Sequence, residues 1–123
     1  MPASDRAVEL GLAAAQAAAD KLGQDSLLLD VSEQLVITDV FVLASAPNDR
    51  QVLAIVDAVE ERLRDLGAKP VRREGEKEGR WVLLDFGDII VHVQHQEERI
   101  YYALERLWKD CPVIPFVDAA LPS

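Results

Sequence analysis

The chain contains a single cysteine, Cys111, and no basic block, and its six glycines are scattered. One thiol cannot close an internal disulfide, and without cysteine pairs no cysteine zinc site forms, so a reducing compartment is expected. Cys111 stands beside Pro112 with no neighbour expected to lower its pKa, and we read it as incidental rather than nucleophilic. None of the glycines opens a helix directly after a strand, so there is no phosphate-cradling loop. Apolar runs stop at strand length, well short of the roughly 20 residues that cross a bilayer as a helix. Asp5 and Glu9 occupy the amino terminus, with no cationic stretch before an apolar block, so no secretory signal is expected. These absences predict a cytoplasmic chain with no membrane contact.

What is present fits one globular domain: 123 residues, 50% apolar and 28% charged. Lys and Arg number 13 against 22 Asp and Glu, a formal net charge of −9. Nucleic-acid binders draw much of their affinity from clustered Lys and Arg neutralising phosphates. This chain lacks that footprint, so no direct sequence-specific nucleic-acid partner is expected. An acidic surface is instead steered toward a basic protein.

The most informative stretch is Gly79-Arg-Trp-Val-Leu-Leu-Asp-Phe-Gly-Asp-Ile-Ile-Val-His-Val93. Two Val/Ile/Leu-rich runs, 81–86 and 89–93, flank Gly87-Asp88, the pattern of an antiparallel hairpin with a tight turn. Alternation puts Trp81, Leu83 and Asp85 on one face and Val82, Leu84 and Phe86 on the other. The second run divides into Ile89, Val91 and Val93 against Ile90, His92 and Gln94. A hairpin buried on both sides would be apolar throughout; Trp81, Asp85, Asp88 and His92 interrupt this one.

Around it, Ser4 caps a first helix whose apolar face is expected at Val8, Leu12, Ala15, Ala19 and Leu22, ending at Gly23. Ser26–Val31 and Thr38–Ala44 read as strands. Asn48 with Gln51 resembles a capping box for a second helix, whose stripe is Val52, Ile55, Val56, Val59, Leu63 and Leu66. Its charged side, Asp57, Glu60, Glu61, Arg62 and Arg64, reads as a solvated surface. A short strand begins at Val71, and 73–79 is an exposed turn. After the hairpin, Glu97 and Glu98 favour a helix start, and Ile100, Leu104, Leu107 and Trp108 form the stripe of a last helix stopped by Pro112. The tail is expected to run extended over the surface. The expected class is α/β (α+β): one domain over 1–110 plus a tail over 111–123, with a mixed five-stranded sheet flanked by helices in the order α-β-β-α-β-β-β-α.

Asp85, Asp88 and His92 are the best candidates for catalysis; near one turn they could hold a divalent ion in a metal-dependent nucleotidyltransferase or hydrolase. Phosphoryl transfer also calls for Lys or Arg at the phosphates, which the hairpin does not supply. Asp beside a turn and His in a sheet have ordinary structural uses. Trp81 beside an exposed turn reads either as an aromatic at the edge of the core or as a protein-interface anchor, with Tyr101 and Tyr102 adding to the second. Adjacent helical residues lie about 100° apart, so at least one of Tyr101, Tyr102 and Trp108 should be partly exposed. A self-associating scaffold, a homodimer burying Trp81 or the last helix, is a third reading.

Several segments together resemble a known family. These are Leu29-Asp-Val-Ser32, Thr38-Asp-Val-Phe-Val-Leu-Ala-Ser45, Arg50-Gln-Val-Leu-Ala-Ile-Val-Asp57, the hairpin from Gly79 to Val93, and Tyr101-Tyr-Ala-Leu-Glu-Arg-Leu-Trp108. They are similar to the ribosomal silencing factors, the RsfS or Iojap family, over about residues 5–110. Ala46-Pro-Asn-Asp49 replaces a Gly-, Thr- or Ser-rich turn usual there, and Val40 stands where an aromatic is frequent. The resemblance implies a nucleotidyltransferase-like fold without its active site, and no enzymatic activity, metal or cofactor. It also implies binding to the large ribosomal subunit through large-subunit ribosomal protein fourteen. That would block subunit joining, repress translation under nutrient limitation, and extend to large-subunit maturation. The contact residues expected are Trp81, Leu83, Asp85, Asp88, His92, Tyr101 and Tyr102.

Overall fold

Val40–Ala46 carries no charge, and all seven of its residues are buried. A strand of that composition can sit only where both faces are covered, and it lies inside the sheet. The computed structural model describes residues 2–120. Its elements are α1 (Asp5–Asp20), β1 (Gln24–Asp30), β2 (Val40–Ala46), α2 (Asp49–Asp65), β3 (Arg72–Glu74), β4 (Trp81–Asp85), β5 (Ile89–His95), α3 (Gln96–Tyr102), α4 (Leu104–Leu107) and β6 (Val113–Ile114). One sheet of six strands runs in the order β3-β4-β5-β2-β1-β6. β2 and β5 are parallel, and the other neighbours are antiparallel. The mixed sheet is as expected; the sixth strand is not. Val113 and Ile114 of the tail pair with Leu29 and Leu28, because β1 would otherwise present a bare edge.

Both long helices pack on one face of the sheet. Ala7, Leu10, Ala14, Ala15 and Ala18 of α1 and Val52, Ile55, Val59 and Leu63 of α2 meet Leu28, Val42, Val82, Leu84, Ile89, Val91 and Val93. Burying each of the larger of these side chains stabilises the fold by about 1.5–3 kcal/mol. The buried stripe of α2 is the expected one through Leu63, Leu66 standing half-buried at the C-cap, and Asn48 caps the other end by accepting from Gln51 N–H at 2.9 Å. The Gln51 amide does not return to Asn48 but donates to the Lys21 and Leu22 carbonyls, tying α2 to the end of α1.

The buried face of α1 is rotated from the expected stripe. Of Val8, Leu12, Ala15, Ala19 and Leu22, only Ala15 is fully buried; Leu22 is 75% exposed and sits at φ 62°. An alanine-rich helix offers two stripes of similar polarity, and the sheet selects the slimmer one, which permits closer approach. The last helix also differs from expectation. Ala103, at φ 45° and ψ 55°, divides it into α3 and α4. Leu104 and Trp108 turn toward the sheet, whereas Ile100 and Leu107 are 79% and 72% exposed. Arg99 takes an inward position, donating to Glu105 Oε2 and the Asp25 carbonyl, both at 2.8 Å.

Candidate partner-binding face

The face of the sheet opposite α1 and α2 is only partly covered. Leu29, Phe41, Leu43 and Ile90 form its floor, with Leu35, Leu83, Leu104 and Trp108 packed against them. The hairpin alternates as its sequence requires: Val82, Leu84 and Phe86 face the helices, and Trp81, Leu83 and Asp85 stand half-buried on the open side. Leu83 is opposite His92 in the β4–β5 ladder, Trp81 opposite Gln94, and Asp85 opposite Ile90.

Aromatic rings run in a chain across this face. Tyr101 meets Tyr102 edge-on at 5.0 Å, and Tyr102 meets Trp81 at 4.7 Å. Trp81 lies 6.0 Å from the His92 ring, His92 5.0 Å from Phe41, and Phe41 5.2 Å from Trp108. Exposure falls from Tyr101, 77% exposed, through Tyr102 at 51% to His92 at 6%. Trp81 stands at the boundary, donating its indole N–H to His92 Nδ1 at 3.2 Å. Burial pushes the His92 pKa down to about 4, so the ring is neutral at cellular pH.

At the hairpin turn, Asp85 Oδ1 accepts from Gly87 N–H at 2.8 Å, and Phe86 N–H donates to the Ile89 carbonyl at 2.9 Å. Gly87 takes φ 86°, which the turn needs and a side chain would resist. Asp88 is exposed at the tip, and its carbonyl accepts from Asp39 N–H at 3.0 Å. Asp85 is therefore engaged in the turn, Asp88 faces solvent and His92 lies under the aromatics. Among the described residues, no three or more His, Cys, Asp or Glu are grouped to hold a metal ion.

Residues outside the expected set complete the face. Arg80 donates to Glu98 at 2.6 Å and Glu97 at 3.3 Å, fastening α3 beside Trp81; the hydrogen bond to Glu98 raises its pKa. Gly75, at φ 83°, lies so near the Trp81 carbonyl that an added Cβ would stand 1.9 Å from its oxygen. Phe41 and Trp108 support the ring chain from below. Phe41 carries the one aromatic ring of β2; nothing local marks Arg80 as the tie between hairpin and helix.

This arrangement is an apolar, aromatic surface with acidic side chains at its margin. A family model described as "Ribosomal silencing factor during starvation" matches residues 4–122. The chain belongs to the ribosomal silencing factor family. It is 41% identical over 100 residues to the ribosomal silencing factor of Bacillus subtilis, covering 81% of this chain and 85% of that one. The chloroplastic Iojap protein of Zea mays is 31% identical over 97 residues, 76% of this chain and 41% of that one. A crystal structure from Chromobacterium violaceum superposes with a TM-score of 0.80 at 35% identity, covering 94% of this chain and 96% of that one. One from Bacillus halodurans gives 0.76 at 32% identity, covering 92% and 100%. No helix among the described residues is long and apolar enough to cross a membrane.

Proposed function

We propose that this chain represses translation by binding the large ribosomal subunit through large-subunit ribosomal protein fourteen and sterically blocking the small subunit from joining. The observation that carries this reading is the run from exposed Tyr101 and Tyr102 to half-buried Trp81, beside Leu83 on a sheet face left open. Aromatic anchors of this kind concentrate binding energy, and exclusion needs only an interface of ordinary size, roughly 1,600 Å² in total. Trp81 is the apolar anchor, Leu83, Tyr101 and Tyr102 extend it, and Asp85 and Asp88 meet Lys or Arg of the partner. The net charge of −9 suits a basic ribosomal protein. The factor acts in the cytoplasm under nutrient limitation, and the same contact serves large-subunit maturation.

Co-sedimentation with purified large and small subunits, offered separately, tests the reading: binding is expected to the large subunit alone. Trp81→Ala should weaken that binding by at least about 2 kcal/mol, roughly thirtyfold. Unchanged co-sedimentation would remove Trp81 as anchor, and binding to the small subunit alone would overturn the exclusion mechanism.

A further inference from the structure

We infer that His92 is the positioning residue of this face: its Nδ1 accepts the Trp81 indole N–H and holds the ring in the orientation that meets the partner. The inference rests on the docking reading above. At 6% exposure His92 has almost no surface to offer a partner, so any contribution to binding must pass through a neighbour. The neighbour it bonds is Trp81, at 3.2 Å.

Acceptance at Nδ1 fixes the tautomer, placing the imidazole proton on Nε2. That atom is buried and has no partner among the described residues. An unsatisfied buried donor is costly, and a phenylalanine or leucine would fill this position between Phe41 and Trp81 without that cost. What an apolar residue could not supply is the acceptor for the indole. A half-buried tryptophan without one keeps its N–H in water and can turn about its side-chain bonds. Here Tyr102 packs against the ring at 4.7 Å while His92 holds the N–H, so two residues from different elements clamp one indole. Clamping before docking removes the ordering cost that a free side chain meets on binding. Because burial keeps the imidazole neutral, the acceptor persists at cellular pH.

The test uses the full chain with His92→Phe, which keeps a ring and loses the acceptor, and His92→Asn, whose side-chain oxygen can stand near the Nδ1 position. Three quantities are read: the Trp81 indole N–H resonance, identified with Trp81→Phe, its hydrogen-exchange rate, and affinity for large subunits. In His92→Phe the resonance should move toward that of a solvated indole, exchange should quicken, and affinity should fall about three- to tenfold. His92→Asn should restore part of each, and it carries the test if the Phe variant does not fold. In a Trp81→Phe background, which has no indole N–H, His92→Phe should cost no further affinity. An equal loss there would reduce His92 to general packing and overturn the inference. So would an indole signal unchanged in His92→Phe, or an indole released without loss of affinity. Failure of the docking reading looks different: Trp81→Ala then leaves large-subunit binding intact, while the indole signal of the unsubstituted chain still reports the His92 bond.

Discussion

The two faces of the central sheet are made by the same strands and finished differently. On one, Val82, Leu84, Ile89, Val91 and Val93 are sealed beneath α1 and α2, and the side chains there are aliphatic. On the other, the neighbouring residues Trp81, Leu83, Ile90 and His92 lie under a broken helix that leaves Trp81 and Leu83 half-exposed. A sealed face returns hydrophobic burial as stability, while a face left open retains apolar area that only a partner can cover. On the docking reading proposed above, stability and recognition are divided between alternate residues of one strand.

The sharpest way to break this division is to cut adjacent leucines. Leu84→Ala, on the sealed face, should cost about 3–4 kcal/mol in denaturant unfolding, whereas Leu83→Ala should cost under about 1 kcal/mol yet weaken large-subunit binding. Equal stability losses would abolish the distinction. Next in size is the response to acid. His92 has a folded pKa near 4 against an ordinary 6.5, so the unfolded chain takes up its proton first. Its contribution to stability is complete above pH 6.5 and is lost as pH falls toward 4, reaching about 3 kcal/mol. Unfolding free energies measured at steps across that range should show the decline, and His92→Asn should flatten it. The smallest effect belongs to the sealed side: Asn48→Ala removes the α2 cap and should cost about 1 kcal/mol without altering binding to large subunits. An affinity loss there would couple the two faces.

The hairpin was legible because a pleated strand alternates by geometry, so reading every second residue assigned Val82 and Leu84 to one face and Trp81 and Leu83 to the other before any packing was known. The α2 stripe was legible for the equivalent reason, with a strong aliphatic repeat and a cap. Failure came where local signals were degenerate. Alanine-rich α1 has no dominant stripe, and the last helix carries a regular apolar repeat that its backbone does not follow. Arg99 is held inward by bonds to Glu105 and the Asp25 carbonyl, partners 6 and 74 residues away in the chain that no local pattern marks. In the candidate site, Trp81, Tyr101 and Tyr102 were visible as residue types, but the burial of His92 was not.

The sequence by itself therefore determined the family, the alternation of the hairpin, the α2 core stripe and the acidic surface, since each follows from residue identity and local backbone period. Tertiary structure alone decided which α1 face packs, that Val113–Ile114 becomes a sixth strand, and that His92 lies beneath Trp81. These depend on contacts between residues far apart in the chain, where the space left by one element selects the face and the partner of another.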